Sequence, residues 1–424
     1  SEKMTAYLGM KYLRNKLISK RPRNEEKYLY YEMKNTMRDF NITMPKEFIW
    51  LKSCLGWSAK AVDSIADRLS FREFSNDNFG INEIYQLNNP DVLFDSAIIS
   101  ALITSCSFIY ISNDISGFPR MQVIDGRNAT GIIDPITYML SEGYAVLERN
   151  IHDEPVKEAY FIKEGTWFYE KDKAPYFISS KAPYPLLVPV IFRPDPKRPF
   201  GHSRISRACI GIQQSAMRTL KRSEVSAEFY SFPQKYVLGL SPDAEALDKW
   251  RATVSTMLQL DKDEDGDSPT VGQFEQQSMA PYVEQLKMFA SLFAGETGLT
   301  LDDLGFSTDN PSSVEAIKAQ HENLRLIARK AQKTFSVGFL NAGYLAACLR
   351  DNYEYDRYQI YLSKAKWEPL FEPDSSTLSV IGDGAIKINQ AVPGFFDKDT
   401  LRDLTGIDYS ENAGIGKTAG EIVQ

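Results

Sequence analysis

The spacing of apolar residues changes character several times along this chain. Residues 1 to 70 read as helices, and FIWLKSCLGWSAKAVDSIADRL places its apolar residues at mixed three and four spacing, as an amphipathic helix does. IYQLNNPDVLFDSAIISALITSC continues as a helix pair, split at Asn89-Pro90. From about 106 to 195 the period shortens. SFIYIS, RMQVID, TYMLSEGYAVLERN, EAYFIKEGTWFYEK and YFISS alternate apolar with polar residues or are rich in aromatic and β-branched ones, with turn residues between them. This pattern predicts antiparallel hairpins with one wet face. The Pro-rich passage KAPYPLLVPVIFRPDPKRPFG reads as an extended connector.

A long helical run follows, from about Ser203 to Phe232, ended by Pro233. At 1.5 Å per residue it would extend ~45 Å. Ile205, Cys209, Ile212, Ala216 and Leu220 make its apolar stripe; Arg204, Arg207, Gly211, Gln214, Arg218 and Lys221 make a second, polar one. Next comes a compact insert, Pro233 to Met279. In it KYVLGL reads as a strand, DAEALDKWRATVSTMLQL as a helix capped by Ser241, and TVGQFEQ as a short extended piece. A further helix runs from Ala280 to Thr297, with Pro281 in its first turn, where proline is tolerated. GLTLDDLGFSTDNPSSV is a loop that launches the longest helix, with Ser312 and Glu315 as a capping box. That helix is expected to run unbroken to about Arg350, ~57 Å if straight. Val314, Ile317, Leu324, Ile327, Ala331 and Phe335 lie along one side, and Gly338 and Gly343 allow a bend. YDRYQIYLSKAKWEPL returns to strand character, and STLSVIGDGAIKINQ with DKDTLRDLTGIDYS forms a small helical end. The fold class is therefore α+β, predominantly helical, with no internal repeat.

Composition narrows the chemistry. The 424 residues are 43% hydrophobic and 25% charged, ordinary for globular chains, and are enough for two or more domains or one elaborate one. No apolar run reaches the length of a membrane span, and the N-terminal stretch lacks the apolar core of a signal peptide. Cys54, Cys106, Cys209 and Cys348 are scattered, as are His152, His202 and His321, so no zinc or redox spacing exists and reduced thiols are expected. A net charge of −7 argues against a protein that grips nucleic acid by its phosphates, though not against one that lets nucleic acid slide past.

Two stretches imitate known sites. DKDEDGDSPTVG, 261–272, opens like a calcium loop, but its twelfth position, where a bidentate glutamate is needed, is Gly272, and Pro269 interrupts the exit. The plain reading is a solvated acidic turn. GIGKT, 414–418, imitates half a phosphate-binding loop, but the first glycine of the pattern is replaced by Glu411, and neither the preceding strand nor the following helix is supplied. Two N-x-T matches, at Asn41 and Asn128, have no secretory context. Nothing points to catalysis, a metal or a cofactor.

Helices this long must bury their stripes, and self-association into a ring is one solution. From about residue 184 onward the chain resembles the portal proteins of tailed, siphovirus-like double-stranded DNA bacteriophages. PLLVPVIFRPDPKRPFGHSRISRACIGIQQSAMRTLKRSEVSAEFYSFPQKYVLGL is similar to the family's passage from wing to first stem helix and clip. QLDKDEDGDSPTVGQFEQQSMAPYVEQLKMFASLFAGETGL is similar to the rest of the clip and the second stem helix. TLDDLGFSTDNPSSVEAIKAQHENLRLIARKAQKTFSVGFLNAGYLAAC is similar to the tunnel loop and the helix behind it. The likeness lies in order and spacing over roughly 170 residues rather than in any short motif; before residue 184 only the general pattern of helices then strands matches.

The resemblance implies a wing at 1–202, stem helix 1 at 203–232, a clip at 233–279, stem helix 2 at 280–298, a tunnel loop at 299–312, a long wing helix and strand at 313–372, and a small crown at 373–424. It implies a ring, usually of twelve subunits, at one capsid vertex. Through its channel the terminase large subunit would pump DNA, which later leaves by the same route. A head-tail adaptor, the major capsid protein and scaffolding proteins would be further partners, in a virion assembled in the host cytoplasm. Asp302, Asp303, Asp309 and Asn310 would belong to the tunnel loop, where repeated acidic charge repels phosphates. Arg204, Arg207, Arg218 and Lys221 are candidates for a basic band centring the duplex, or for pairing with acids of a neighbouring subunit. Asp261, Asp263, Asp265 and Asp267 fall in the clip, as an exposed tip or a charged docking element. The alternatives are a virion or scaffold interaction protein without a channel, and a nucleotide-dependent motor component, which the broken GIGKT disfavours.

Overall fold

The computed structural model describes residues 6–40, 42, 44–231, 235–239, 266, 268–275, 278–307, 313–360 and 362–411. In chain order these form α1 (Met10–Tyr31), α2 (Trp57–Ala66), β1 (Phe71–Ser75), α3 (Ile81–Gln86), α4 (Pro90–Thr104), β2 (Cys106–Asn113), β3 (Pro119–Ile124), β4 (Ala129–Ile133), β5 (Leu140–Arg149), β6 (Pro155–Ile162), β7 (Gly165–Glu170), β8 (Tyr176–Ser179) and β9 (Leu187–Ile191). Then follow α5 (Arg207–Ser231), β10 (Lys235–Leu238), β11 (Thr270–Gln273), α6 (Ala280–Thr297), α7 (Val314–Gln320), α8 (Glu322–Asp351), β12 (Lys364–Trp367), α9 (Ser375–Ala391) and α10 (Lys398–Thr405). The fold is a mixture of helix and sheet. No helix among the described residues is long and apolar enough to cross a membrane.

The chain divides into two compact units. The first comprises Ser1–Glu32, Ser58–Ser206 and Pro311–Gln424. Its strands pair antiparallel, as the alternation predicts: β3-β2-β9 in one sheet, β4-β5-β6-β7-β8 in another, and β1 with β12. The Pro-rich passage read as a connector contains β9, whose five residues are all buried. Pro189 is tolerated there because β9 is an edge strand that uses one side of its backbone for pairing.

The core of this unit forms where α8 packs on β9, β2 and α3. Phe71, Phe74, Tyr85, Phe94, Phe339 and Trp367 make a chain of ring contacts, Phe71 to Phe94 being 4.4 Å between centroids. The Tyr85 hydroxyl donates to the Phe339 carbonyl, which ties α3 to α8 and gives this buried hydroxyl a partner. Burial pushes the ionisation of Tyr85 far above the usual phenol range. A second apolar cluster, Leu13 and Leu17 against Tyr144, Val146 and Tyr160, seats α1 on β5 and β6. The buried Glu142 carboxylate accepts from Leu8 N and Gly9 N at 2.9 Å and from the Tyr160 hydroxyl at 2.6 Å, fixing the start of α1.

The long C-terminal helix differs from expectation. It is two helices, interrupted at His321 (φ −90°, ψ 3°), although His321 N still reaches Ile317 O at 3.3 Å. Ser312 lies outside the described residues, and the N-cap is Ser313, whose Oγ accepts from Ala316 N at 3.2 Å. Leu324, Ala331 and Phe335 are buried as the stripe predicts, while Ile317 is exposed. Gly338 and Gly343 serve close packing. A Cβ on Gly338 would lie 2.9 Å from Pro189 O, and one on Gly343 would lie 2.4 Å from Ile81 Cγ2.

The second unit comprises Met33–Trp57 and Arg207–Asn310. Its centre is the antiparallel pair α5 and α6, pinned across the seam by Thr219 to Gln285 at 3.0 Å and by Ser226 to Tyr282 at 2.7 Å. Phe293 of α6 packs on Trp57, with centroids 5.5 Å apart. β10 and β11 form a two-stranded antiparallel pair. The helix DAEALDKWRATVSTMLQL and Asp261, Asp263, Asp265 and Asp267 of the acidic turn, expected between them, lie outside the described residues. The described residues between 33 and 56, expected as helix, form instead a strap with a short 3-10 turn at Lys46–Phe48.

Candidate DNA- and partner-facing surfaces

The polar stripe of α5 explains the strap. Gln214 Nε2 donates to Thr36 O and its Oε1 accepts from Arg38 N, both at 2.8 Å; Gln213 Nε2 donates to Leu55 O at 2.8 Å. Arg218 reaches Arg38 O at 3.2 Å and lies over the Phe40 ring. Lys221 Nζ contacts Asp39 Oδ2 at 2.6 Å, with the two side chains 1% and 8% exposed. An extended segment has unpaired backbone groups, and a helix face lined with amide and cationic side chains satisfies them.

This corrects the expected basic band. Lys221 is buried in an ion pair within its own unit, so it presents no charge to a ligand. Arg204 is buried in the first unit, where its Nε donates to Ala61 O at 2.9 Å. Burial removes both from any surface because their donors are already used inside the chain. Arg207 is exposed at the first turn of α5, and Arg218 is half-buried.

Of the acidic loop residues, Asp302 is exposed and Asp303 is half-buried on a short turn, Asp302–Leu304. Asp303 Oδ2 accepts from Thr300 N at 2.9 Å and Asp303 N donates to Thr300 Oγ1 at 3.2 Å, a reciprocal cap that fixes the turn. The two aspartates therefore differ: Asp302 offers its charge outward, whereas the Asp303 carboxylate is held by its own turn. Asp309, Asn310, Asp261, Asp263, Asp265, Asp267 and the GIGKT segment lie outside the described residues.

The first unit carries a basic cleft that periodicity did not single out. Lys16, Lys20, Arg23 and Lys27 fall at spacings of four, three and four on α1, which places them on one helix face. Facing them is the loop after β9, with Lys197, Arg198 and Phe200. Burial, then the neighbouring Lys20, pushes Lys16 down to about 8; burial, then Arg198 and Arg23, lowers Lys27. The signal was present as a stripe of cations at helical spacing, but its second half lies some 170 residues further on in a passage that reads only as a connector.

Comparison with known proteins bears on identity. No family model matches the chain. The portal protein of Mycobacterium phage L5 is 25% identical over 341 residues, 73% of this chain and 67% of that protein. The portal protein of Mycobacterium phage D29 is 23% identical over 414 residues, 90% of this chain and 82% of that protein. Among solved structures, a chain from the virion of a native gene transfer agent particle shares 12% identity at a TM-score of 0.43, covering 84% of this chain and 90% of that one. A chain from the neck of a native gene transfer agent particle, computed with C12 symmetry, shares 13% at a TM-score of 0.45, covering 91% and 99%. Along most of its length, the chain is similar to the portal proteins of tailed bacteriophages.

Proposed function

We propose that this chain is a bacteriophage portal protein: a ring-forming subunit at one capsid vertex, through whose axial channel double-stranded DNA is packaged and later ejected. The observation that carries the reading is sequence similarity to two curated portal proteins over 73% and 90% of the chain. In this reading the terminase large subunit and then a head-tail adaptor dock on the segment around the acidic turn. Capsid and scaffolding proteins surround the ring, and its place is the virion. Asp302, exposed on the loop between α6 and α7, repels phosphate, and Asp309 of the same loop adds a second carboxylate beside Asn310; like charges repeated around a ring discourage adhesion to a moving duplex. Arg207 and Arg218 are the remaining members of the basic band, which makes it two cations per subunit rather than four. The role is structural and needs no cofactor.

A subunit of 48.1 kDa in a ring of about a dozen copies has a mass of ~580 kDa. Sedimentation of the purified chain, alone and with its capsid and scaffolding proteins, tests this. A closed species near that mass supports the reading. A chain that stays at its monomer mass in both conditions contradicts it, and leaves a virion interaction protein without a channel.

A further inference from the structure

The cleft between α1 and the loop after β9 has a volume of about 340 Å³. Its cationic lining is Lys20, Arg23 and Lys27 on one wall and Lys197 and Arg198 on the other, with His202 beside them. Among the described residues that line it there is no aspartate or glutamate. His202 is held by Asp195, which lies outside the lining. In a chain of net charge −7 this is a local reversal of sign, and five cations around one cleft without a lining carboxylate repel one another.

The cleft is rigid on both sides. On α1, Asn24 Nδ2 donates to Gly126 O at 2.9 Å and Lys16 Nζ to Gly131 O at 2.8 Å, so the helix face is fixed against the sheet. In the loop, Asp195 Oδ1 accepts from Lys197 N and Arg198 N, both at 2.8 Å, and Gly201 N and His202 N donate to Arg198 O and Phe192 O at 2.9 Å. Gly201 has φ +80°, and a Cβ there would lie 2.0 Å from Phe192 O, so only glycine closes the loop in this form.

The spacing of the cations distinguishes among anions. Lys20 to Lys27 spans seven residues, ~10 Å along the helix, which suits a row of negative charges better than one small ion. The faces of aromatic side chains are not offered to bases: the Lys16 and Lys20 ammonium groups lie 4.9 and 5.1 Å from the Phe200 centroid. Single strands usually bind by stacking on such rings, and protein partners bring an apolar centre; neither is provided for here. Charge without base readout is the mode of phosphate-backbone recognition.

We propose that this cleft is a sequence-independent binding site for the phosphodiester backbone of double-stranded DNA. It is a holding contact, opposite in sense to the acidic residues assigned above to a sliding path; the choice of duplex DNA as the polyanion rests on the function proposed above, while the contact itself does not need a closed ring. Burial and the neighbouring Arg198 and Arg23 disfavour the charge on Lys27, and a phosphate entering the cleft would offset that repulsion.

The test uses the full chain and a fluorescein-labelled random-sequence 30-base-pair duplex, followed by anisotropy over a salt series. The variant combines Arg23→Gln, Lys27→Gln, Lys197→Gln and Arg198→Gln; the control combines Lys60→Gln, Lys163→Gln and Lys181→Gln, all exposed and elsewhere. The cleft variant should bind about tenfold or more weaker and lose about 3 from the slope of log K against log salt, while the control loses about 1 or less. Equal losses in the two variants overturn the proposal. Acetylation footprinting of the unsubstituted chain supplies a readout that needs no variant. The duplex should protect Lys20, Lys27 and Lys197 and spare Lys60, Lys163 and Lys181. Uniform labelling, or equal protection by inorganic phosphate at matched ionic strength, overturns it, the latter by making the cleft a small-anion site.

Discussion

Replacing Asp39 with alanine tests whether the strap is held by a buried charge. Lys221 Nζ lies 2.6 Å from Asp39 Oδ2 and its side chain is 1% exposed. Without the carboxylate, the ammonium keeps a 3.5 Å contact with Ile49 O and stays out of water. Removing one partner of a buried pair costs about 3–5 kcal/mol, because the remaining charge is left uncompensated. That is about two to three and a half powers of ten in a local opening constant. The loss should be concentrated where the strap meets α5. Hydrogen exchange read by mass spectrometry is the assay: amides of residues 33–57, including Arg38 N on Gln214 Oε1, should exchange about a hundredfold or more faster in Asp39→Ala. The double variant Asp39→Leu with Lys221→Met removes both charges and should recover most of the protection, since apolar replacement of a buried pair is often neutral. A single-variant effect below about 1 kcal/mol, the value of an exposed pair, would refute the burial argument.

Two further outcomes follow from packing and charge. Gly343→Ala places a methyl group 2.4 Å from Ile81 Cγ2; overpacking of this kind should lower stability by about 1–3 kcal/mol in calorimetry, and an unchanged transition would mean that α3 and α8 do not approach so closely. Lys16 has a folded-state pKa of about 8 against an ordinary 10.5. Below pH 8 both states keep the proton and the fold bears the full cost of burying the charge. As pH rises above 8 the folded state releases it first and that cost fades. The natural chain should therefore gain stability relative to Lys16→Met between about pH 8 and 10 in urea titrations. A difference independent of pH would place the Lys16 ammonium in water.

Local signals were legible where one residue decides an element. Pro281 marks the start of α6 and Asn89-Pro90 the join of α3 and α4, and both stand where the pattern put them. Alternation, or a run of aromatic and β-branched residues, marked β2, β3 and β5 to β8; burial itself alternates in β3, while β2 and β5 are mostly buried and β8 is exposed throughout. It missed β9, whose five buried residues and central proline do not alternate. The strap was illegible for a different reason. Its backbone is satisfied by side chains of α5 some 180 residues away, as with Gln214 on Arg38 N and Thr36 O, and no local period records such a partner. The same fact overturned half of the basic stripe: Arg204 and Lys221 read as surface cations at helical spacing until their partners, Ala61 O and Asp39, were placed. The basic cleft was hidden twice, by a net charge of −7 that averages over the chain and by walls drawn from α1 and a loop near residue 200.

The central claim concerns assembly, and electron microscopy of the purified full chain, with class averages inspected for rotational symmetry, tests it most directly. The account predicts a ring of about a dozen copies with an open axial hole wide enough for a DNA duplex. A compact assembly with rotational symmetry but no hole would contradict it.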